Sequence, residues 1–284
     1  MQVEYYPAPP PPGPRGTGLP YDAGLELDGI VTTAADLELP NFARTVDALL
    51  GGSANFAVDR EAVATLSVID PLLEARTRAN RAFARRVVRH AHALGIDQFL
   101  DLGCGIPSIQ SVHGFVHQVN PEARVAYVDL DPVVVAHARE LVSHLPGVSV
   151  TWGDLRAPDC VLATPEVAAT IDLSRPIALL VCGVLHFVHD DVAALLRRWR
   201  DLLAPGSVLA ATHGAPAHRK AVAVLDGTYS RGLAGVTTRS RTEIREALAE
   251  VGPVVDVVDW PHRGAGGRYA LDHLGAVGVV EQRR

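Results

Sequence analysis

The chain has 284 residues, 48% of them hydrophobic and 20% charged, enough for one large domain with a cap or for two small domains. Its 26 basic and 32 acidic residues give a net charge of −6, which argues against a nucleic-acid polymer as partner, since such a partner needs a basic face. The three cysteines (Cys104, Cys160 and Cys182) are odd in number and lack metal-ligand spacing, so they read as reduced thiols of a cytoplasmic protein with no metal site.

Seven of the first twenty residues are proline, which predicts an extended or disordered tail over residues 1–24. No basic-then-apolar leader opens the chain. The longest apolar stretch, Ile177 to Val188, is well short of a bilayer crossing, so no membrane is expected as partner. Residues 25–94 are expected to form a helical cap. Within it, Asp47, Asn55 and Arg60 cluster around a Gly51-Gly52 break, where a hinge is easy, and should face a pocket or brace its wall. Residues 71–94 begin with Pro71 at a helix N-terminus and carry Leu72, Ala79, Phe83, Val87, Ala91 and Leu94 as an apolar stripe. The opposite face carries Arg76, Arg78, Arg81, Arg85, Arg86 and Arg89, most of which read as solvated.

Residues 95–284 alternate strand and helix. Strands are predicted at 97–102, 123–129, 147–152, 176–183, 206–212, 253–259 and 275–281. Helices are predicted near 109–119, 131–145, 159–169, 190–203, 216–230 and 240–250. Such alternation implies an α/β fold, a mostly parallel seven-stranded Rossmann-like sheet covered on both faces. The short link before the last strand fits an antiparallel final strand.

The most informative segment is Phe99-Leu-Asp-Leu-Gly-Cys-Gly-Ile-Pro-Ser108. A buried strand ends at Asp101 and breaks into a turn at Gly103 and Gly105. About two dozen residues later a second strand ends in Asp129, giving the first βαβ unit of a nucleotide-binding sheet. A dinucleotide loop would place a third glycine where Ser108 stands, so that a pyrophosphate could lie on a helix N-terminus. An acid at Asp101 would repel a pyrophosphate. It suits S-adenosylmethionine (SAM), whose sulfonium and ammonium groups are cationic.

Asp129, at the second strand's tip, is the expected ribose ligand. Asp131 precedes Pro132 and is equally a helix N-cap or a ligand. Asp154, at the third strand's end, is assigned to the adenine amine, with the Leu155 backbone N–H for a ring nitrogen; the alternative is an ordinary turn aspartate. Gly183 to His186 follow the fourth strand and should lie beside the sulfonium. His186 is then the first candidate for a general base, or else a packing histidine. His113 follows the glycine loop and is the second candidate, or faces solvent. Asp47 is the third, while His189, before Asp190 and Asp191, reads as structural.

With these motifs in place, the chain resembles an actinobacterial group of class I SAM-dependent methyltransferases long described as a domain of unknown function. The resemblance covers roughly residues 40–284. It is carried by Asp47-Ala-Leu-Leu-Gly-Gly-Ser-Ala-Asn-Phe-Ala-Val-Asp-Arg60, Arg78-Ala-Asn-Arg-Ala-Phe83, the segment Phe99–Pro107, Tyr127-Val-Asp-Leu-Asp-Pro132 and Val184-Leu-His-Phe-Val188. It implies a SAM-binding domain under an N-terminal helical cap, with Gly103 and Gly105 as loop residues, Asp129 on the ribose and Asp154 on adenine. The chain departs from the group at Val46 and Ala48, where tyrosines commonly flank Asp47. The resemblance further implies a small-molecule acceptor, aromatic or heterocyclic and in some relatives an indole, within specialised metabolism. A homodimer stays open as the assembly. Two rivals remain at this point: a SAM-binding regulator without turnover, which would have a shallow open site, and a nicotinamide-dependent dehydrogenase.

Overall fold

The structure, a computed structural model, describes residues 39–108, 110–214, 235–257 and 273–281. The expected tail at 1–24 and the helix expected at 216–230 lie outside the described residues.

Strand β1 (Gln98–Leu102) carries five consecutive buried residues, the pattern of a parallel strand covered on both faces. It runs parallel between β2 (Arg124–Asp129) and β4 (Ala178–Cys182), with Leu100 opposite Ala126 on one side and Leu179 on the other. Adding β3 (Val148–Trp152), β5 (Val208–Gly214), β6 (Val254–Asp256) and β7 (His273–Val279) gives a seven-stranded sheet of order β3-β2-β1-β4-β5-β7-β6. Only β7 runs antiparallel to its neighbours. The expected sheet is therefore the observed one. Chain order reverses between β1 and β4, and at such a switch point open α/β sheets bind ligands beyond the strand C-termini. One core fills each face, the first built around Leu100, Leu179 and Trp199, the second around Phe99, Tyr127 and Phe83.

Three expected elements differ. The helix expected at 159–169 divides at Pro165 into Pro158–Leu162 and Pro165–Thr170. Proline has no N–H to donate and disfavours helical backbone at Thr164, whose ψ of 142° is extended. Between 109 and 119 helix persists only over Val112–Val116, because the Ser111 hydroxyl accepts from the Ser108 N–H and holds the preceding turn open. Strand β7 begins at His273 rather than 275, pairing with Gly214 at an extended end of β5.

The described part of the cap comprises α1 (Phe42–Leu49), α2 (Ala57–Ile69) and α3 (Leu73–Ala93). Helix α3 buries Phe83, Val87, Val88 and Ala91 against the sheet. Its arginines do not share one solvated face. Arg78, Arg85 and Arg89 are exposed, whereas Arg76 is buried and ion-paired with Asp70, and Arg86 donates to the Val257 carbonyl. The residues at 73, 76, 77, 80, 81 and 84 recur at helical spacing and form a third face, turned to a cavity.

Helices α1 and α2 are joined through a buried ion pair, Arg44 Nε to Asp59 Oδ2 at 2.7 Å, with side-chain exposures of 1% and 0%. Asp59 also accepts from the backbone N–H groups of Asn41 and Phe56, both at 2.9 Å. Beside the Gly51-Gly52 turn, Asn55 donates to Asp47 Oδ2 at 2.8 Å and Arg60 donates to Asn55 Oδ1 at 2.9 Å. That trio braces the turn. Asn41 Nδ2 latches the cap to the sheet through Asp131 Oδ2 at 2.6 Å.

Candidate active site

A cavity of about 290 Å³ lies at the C-terminal ends of β1, β2 and β4, roofed by α1 and α3. Asp101, Gly103, Gly105, Asp129, Asp131, Asp154, Leu155 and Gly183 all line it, as does His186. Asp47 does not, since its carboxylate is spent inside the cap turn. His113 does not either. It lies in a separate open groove with Pro107 and His117, its backbone N–H donating to the Tyr127 hydroxyl at 2.9 Å and its Nδ1 2.8 Å from the same oxygen. Burial pulls the His113 imidazole down to about 4.

The glycine loop is set by backbone geometry. Gly103 and Gly105 adopt φ of 68° and 61°, a region that costs other residues a Cβ clash. A Cβ on Gly103 would also sit 2.4 Å from the Val184 side chain. The Gly103 N–H bonds to Val128 O at 2.8 Å, tying the turn to the end of β2.

Asp129 is half-buried and its two oxygens take different donors, Oδ2 from Gly105 N at 2.9 Å and Oδ1 from Asp131 N at 3.0 Å. It thus fixes the loop and keeps lone pairs for the cavity. Burial pushes its carboxyl up to about 6 against those hydrogen bonds. Asp131 is the N-cap of the helix Pro132–Val142, accepting from Val133 and Val134, and its second oxygen holds Asn41. Asp154 forms a paired contact with the Arg156 guanidinium, at 2.6 and 2.9 Å on Oδ2.

Asp101 differs from all of these. It is 6% exposed, its carboxyl accepts no hydrogen bond from the described residues, and burial pushes it up to about 7, with Arg81 opposing and Asp129 adding to the shift. A buried carboxyl left without donors beside two left-handed glycines is the acceptor that a cationic amino-acid end requires. These residues fit SAM.

Beyond β4 the site changes character. His186, His213 and His273 group at the ends of β4, β5 and β7, and burial holds them down to about 3, about 4 and about 3. The ring centroids of His186 and His213 are 6.2 Å apart. His186 Nδ1 and His273 Nε2 are buried without hydrogen-bond partners among the described residues. The groups that shift His186 electrostatically, His213, His273 and Arg239, are all cationic or neutral. Among the described residues, an imidazolium at His186 therefore has no carboxylate to stabilise it. The loop carrying it is strapped by Arg239, which donates to the carbonyls of Leu185, Val188 and Asp190.

Several cavity residues were not singled out in the sequence. Asp70, Asn80 and His273 all line the wall. Asn80 accepts from the Thr212 hydroxyl at 2.7 Å, and that oxygen accepts from Gly183 N at 2.9 Å, so α3 is pinned to two strand ends. A Cβ on Gly183 would stand 2.8 Å from Asn80 Nδ2. The segment Arg78–Phe83 carried that information without its direction.

A reversed-order seven-stranded sheet, a glycine turn flanked by acids at the first two strand tips and a cavity over them, roofed by α1 and α3, define a class I SAM-dependent methyltransferase. The chain belongs to the family described as S-adenosyl methyltransferase, which matches residues 30–278. It is similar to a putative methyltransferase from Thermobifida fusca YX, with 33% identity, TM-score 0.76 and coverage of 87% of this chain and 97% of that one. It is equally similar to a DUF574 family protein from Streptomyces avermitilis, with 33% identity, TM-score 0.74 and coverage of 87% and 99%. The CurJ carbon methyltransferase, at 14% identity and TM-score 0.50, over 84% of this chain and 67% of that one, shares the fold. Comparison with curated proteins gives no match. The cofactor is SAM. No described helix is long and apolar enough to cross a membrane.

On the site's reading, Asp129→Ala should weaken SAM binding by about 1.5–3 kcal/mol, the scale of hydrogen bonds to a charged group. Unchanged affinity by titration calorimetry would remove Asp129 from the site.

Proposed function

We propose that this enzyme methylates a small, largely apolar aromatic or heterocyclic acceptor, with indole-containing compounds of specialised metabolism as the leading class. The observation that carries this reading is the composition of the cavity wall past the glycine loop. Phe42, Val46, Leu49, Leu66, Leu73 and Phe187 supply its apolar lining, and the neutral imidazoles of His186 and His273 are among its few polar groups, with Asn80 and the paired Asp70 and Arg76. Such a wall suits a planar apolar body with one or two hydrogen-bonding groups. The depth of the site, lined from both the strand ends and the cap helices α1 and α3, also favours turnover over the shallow site expected of a regulator. The setting in specialised metabolism rests on the family resemblance.

SAM supplies the activated methyl group and a leaving group that departs neutral. The chain's contribution is alignment and exclusion of water, and alignment of two bound reactants can account for ~7–11 kcal/mol of barrier. In this reading His186 is a neutral hydrogen-bond partner that orients the acceptor. Protonating it in place would create a buried cation without a counter-charge among the described residues.

The test is formation of S-adenosylhomocysteine on a panel of indole, phenol and amine scaffolds, with wild type and His186→Ala. Turnover is expected on an aromatic or heterocyclic scaffold, and His186→Ala should lower it by about tenfold, the value of one buried hydrogen bond. A loss of ~10²–10⁴-fold would make His186 the base instead. Turnover confined to flexible aliphatic amines would overturn the aromatic assignment.

A further inference from the structure

Two of the three imidazoles beyond β4 have one nitrogen buried and unsatisfied, and the third does not. His213 Nδ1 lies 2.8 Å from the Gly214 carbonyl, which can only accept, so that nitrogen carries the proton. Its Nε2 lies 3.3 Å from Arg239 Nη1, which can only donate, and so keeps the lone pair. His186 and His273 have no such partners among the described residues, and their buried nitrogens are Nδ1 and Nε2 respectively. Both rings line the cavity, which leaves His186 Nε2 and His273 Nδ1 on its side. Burial keeps both rings neutral, so each has one proton to place. Orphaned buried N–H groups are rarer than under-satisfied acceptors. The lone pair therefore belongs on the buried nitrogen of each ring and the proton on the cavity nitrogen.

We infer that His186 Nε2 and His273 Nδ1 present two N–H donors to the molecule being methylated, which meets this wall with lone pairs, as carbonyl oxygens or pyridine-type nitrogens. On the aromatic or heterocyclic reading above, on which this assignment rests, the substrate's own N–H and O–H groups find no partner in either ring. The fold holds both donors in place. The His186 ring packs against Phe42 and Phe187, at centroid distances of 5.5 and 4.2 Å, which fixes its plane. His273 opens β7 opposite Gly214, and its carbonyl accepts from Val257 N at 3.0 Å, so the sheet register sets its backbone. Gly214 has a second effect. A Cβ there would stand 3.7 Å from His273 Nδ1 and 3.8 Å from Cε1, an ordinary contact that would cover the donor without straining the strand. Glycine leaves that nitrogen open to the cavity.

The first test needs no substrate. Nitrogen–proton correlation spectra of the full chain with labelled histidines, saturated with S-adenosylhomocysteine at neutral pH, report which ring nitrogen is protonated, and His186→Gln and His273→Asn assign the signals by their loss. His186 should be the Nε2–H form and His273 the Nδ1–H form, with His213, also Nδ1–H, as the internal reference. A proton on His186 Nδ1 or His273 Nε2, or a charge on either ring, overturns the assignment. The second test uses oxindole and indoline, which differ by one carbonyl, as binding probes of the same complex. Oxindole should bind about fivefold or more tighter to the wild type, the scale of one neutral hydrogen bond. The preference should shrink in Gly214→Ala, which screens one donor, and fall within about twofold in the double variant His186→Leu, His273→Leu. Thermal melting of each variant separates a folding defect, which Gly214→Ala should not show. Equal binding of the two probes to the wild type also overturns the assignment. Binding of neither faults the aromatic reading of the cavity, and the tautomers alone then decide whether the wall is built of donors.

Discussion

Asp59→Ala is expected to destabilise the protein by about 3–5 kcal/mol, the cost of removing one partner from a buried ion pair. The Arg44 and Asp59 side chains are 1% and 0% exposed, so loss of the carboxylate takes the 2.7 Å ion-pair partner from a guanidinium held in the interior. The same change orphans the backbone N–H groups of Asn41 and Phe56, which start α1 and α2. Asn41 in turn holds Asp131, so the cap should loosen from the sheet as well as from itself. Replacing both members by apolar residues of similar volume should cost far less, because no charge then stays buried. Denaturant midpoints with unchanged slope are the measurement. A loss below about 1 kcal/mol for Asp59→Ala would mean that water reaches the pair and that it behaves as a surface bridge.

The parts of this molecule that were legible in its sequence share a physical cause. Buried parallel strands read as short apolar runs ended by turn residues, and β1 with its five buried positions is the clearest case. The glycine pair was legible because the backbone there adopts positive φ. Acids at strand tips were legible because position along a parallel strand fixes which end faces the ligand. All eight residues expected at the cofactor do line one cavity. What stayed hidden depends on direction around a helix. The arginines of α3 read as one solvated face, since periodicity distinguishes apolar from polar but not a cavity from solvent. Asp47 was drawn toward the pocket by its setting near the glycine break, yet its partner is Asn55 within the turn. His113 stands one turn past the glycine loop, and the hydroxyl of Tyr127, remote from it by 14 residues, holds it on the outer side. Such contacts arise from the sheet's register, and local spacing carries no trace of them.

The affinity for SAM should rise with pH between about 5.5 and 7.5 and level off above, because the groups that meet its cationic end must lose protons to do so. Asp101 is the principal one. Burial pushes its carboxyl up to about 7, so the unliganded enzyme holds that proton near neutrality, whereas an unfolded chain would have lost it near 3.9. The sign follows from linkage. As pH rises from about 4 to 7 the unfolded state ionises first, which lowers the stability of the free protein. A bound ammonium stabilises the ionised form and offsets this loss, so binding below pH 7 releases a proton. Calorimetry in two buffers of different ionisation enthalpy should register that release, approaching one proton near pH 6 and vanishing above about 8. Asp129, pushed up to about 6, adds a second and lower inflection. Asp101→Asn keeps the shape but not the charge. It should weaken SAM by about 1.5–3 kcal/mol at pH 8 and leave only the lower inflection. If the wild type binds SAM with the same affinity at pH 5.5 and 8, Asp101 is already ionised in the free enzyme, and its buried carboxyl finds in solution a partner other than the cofactor.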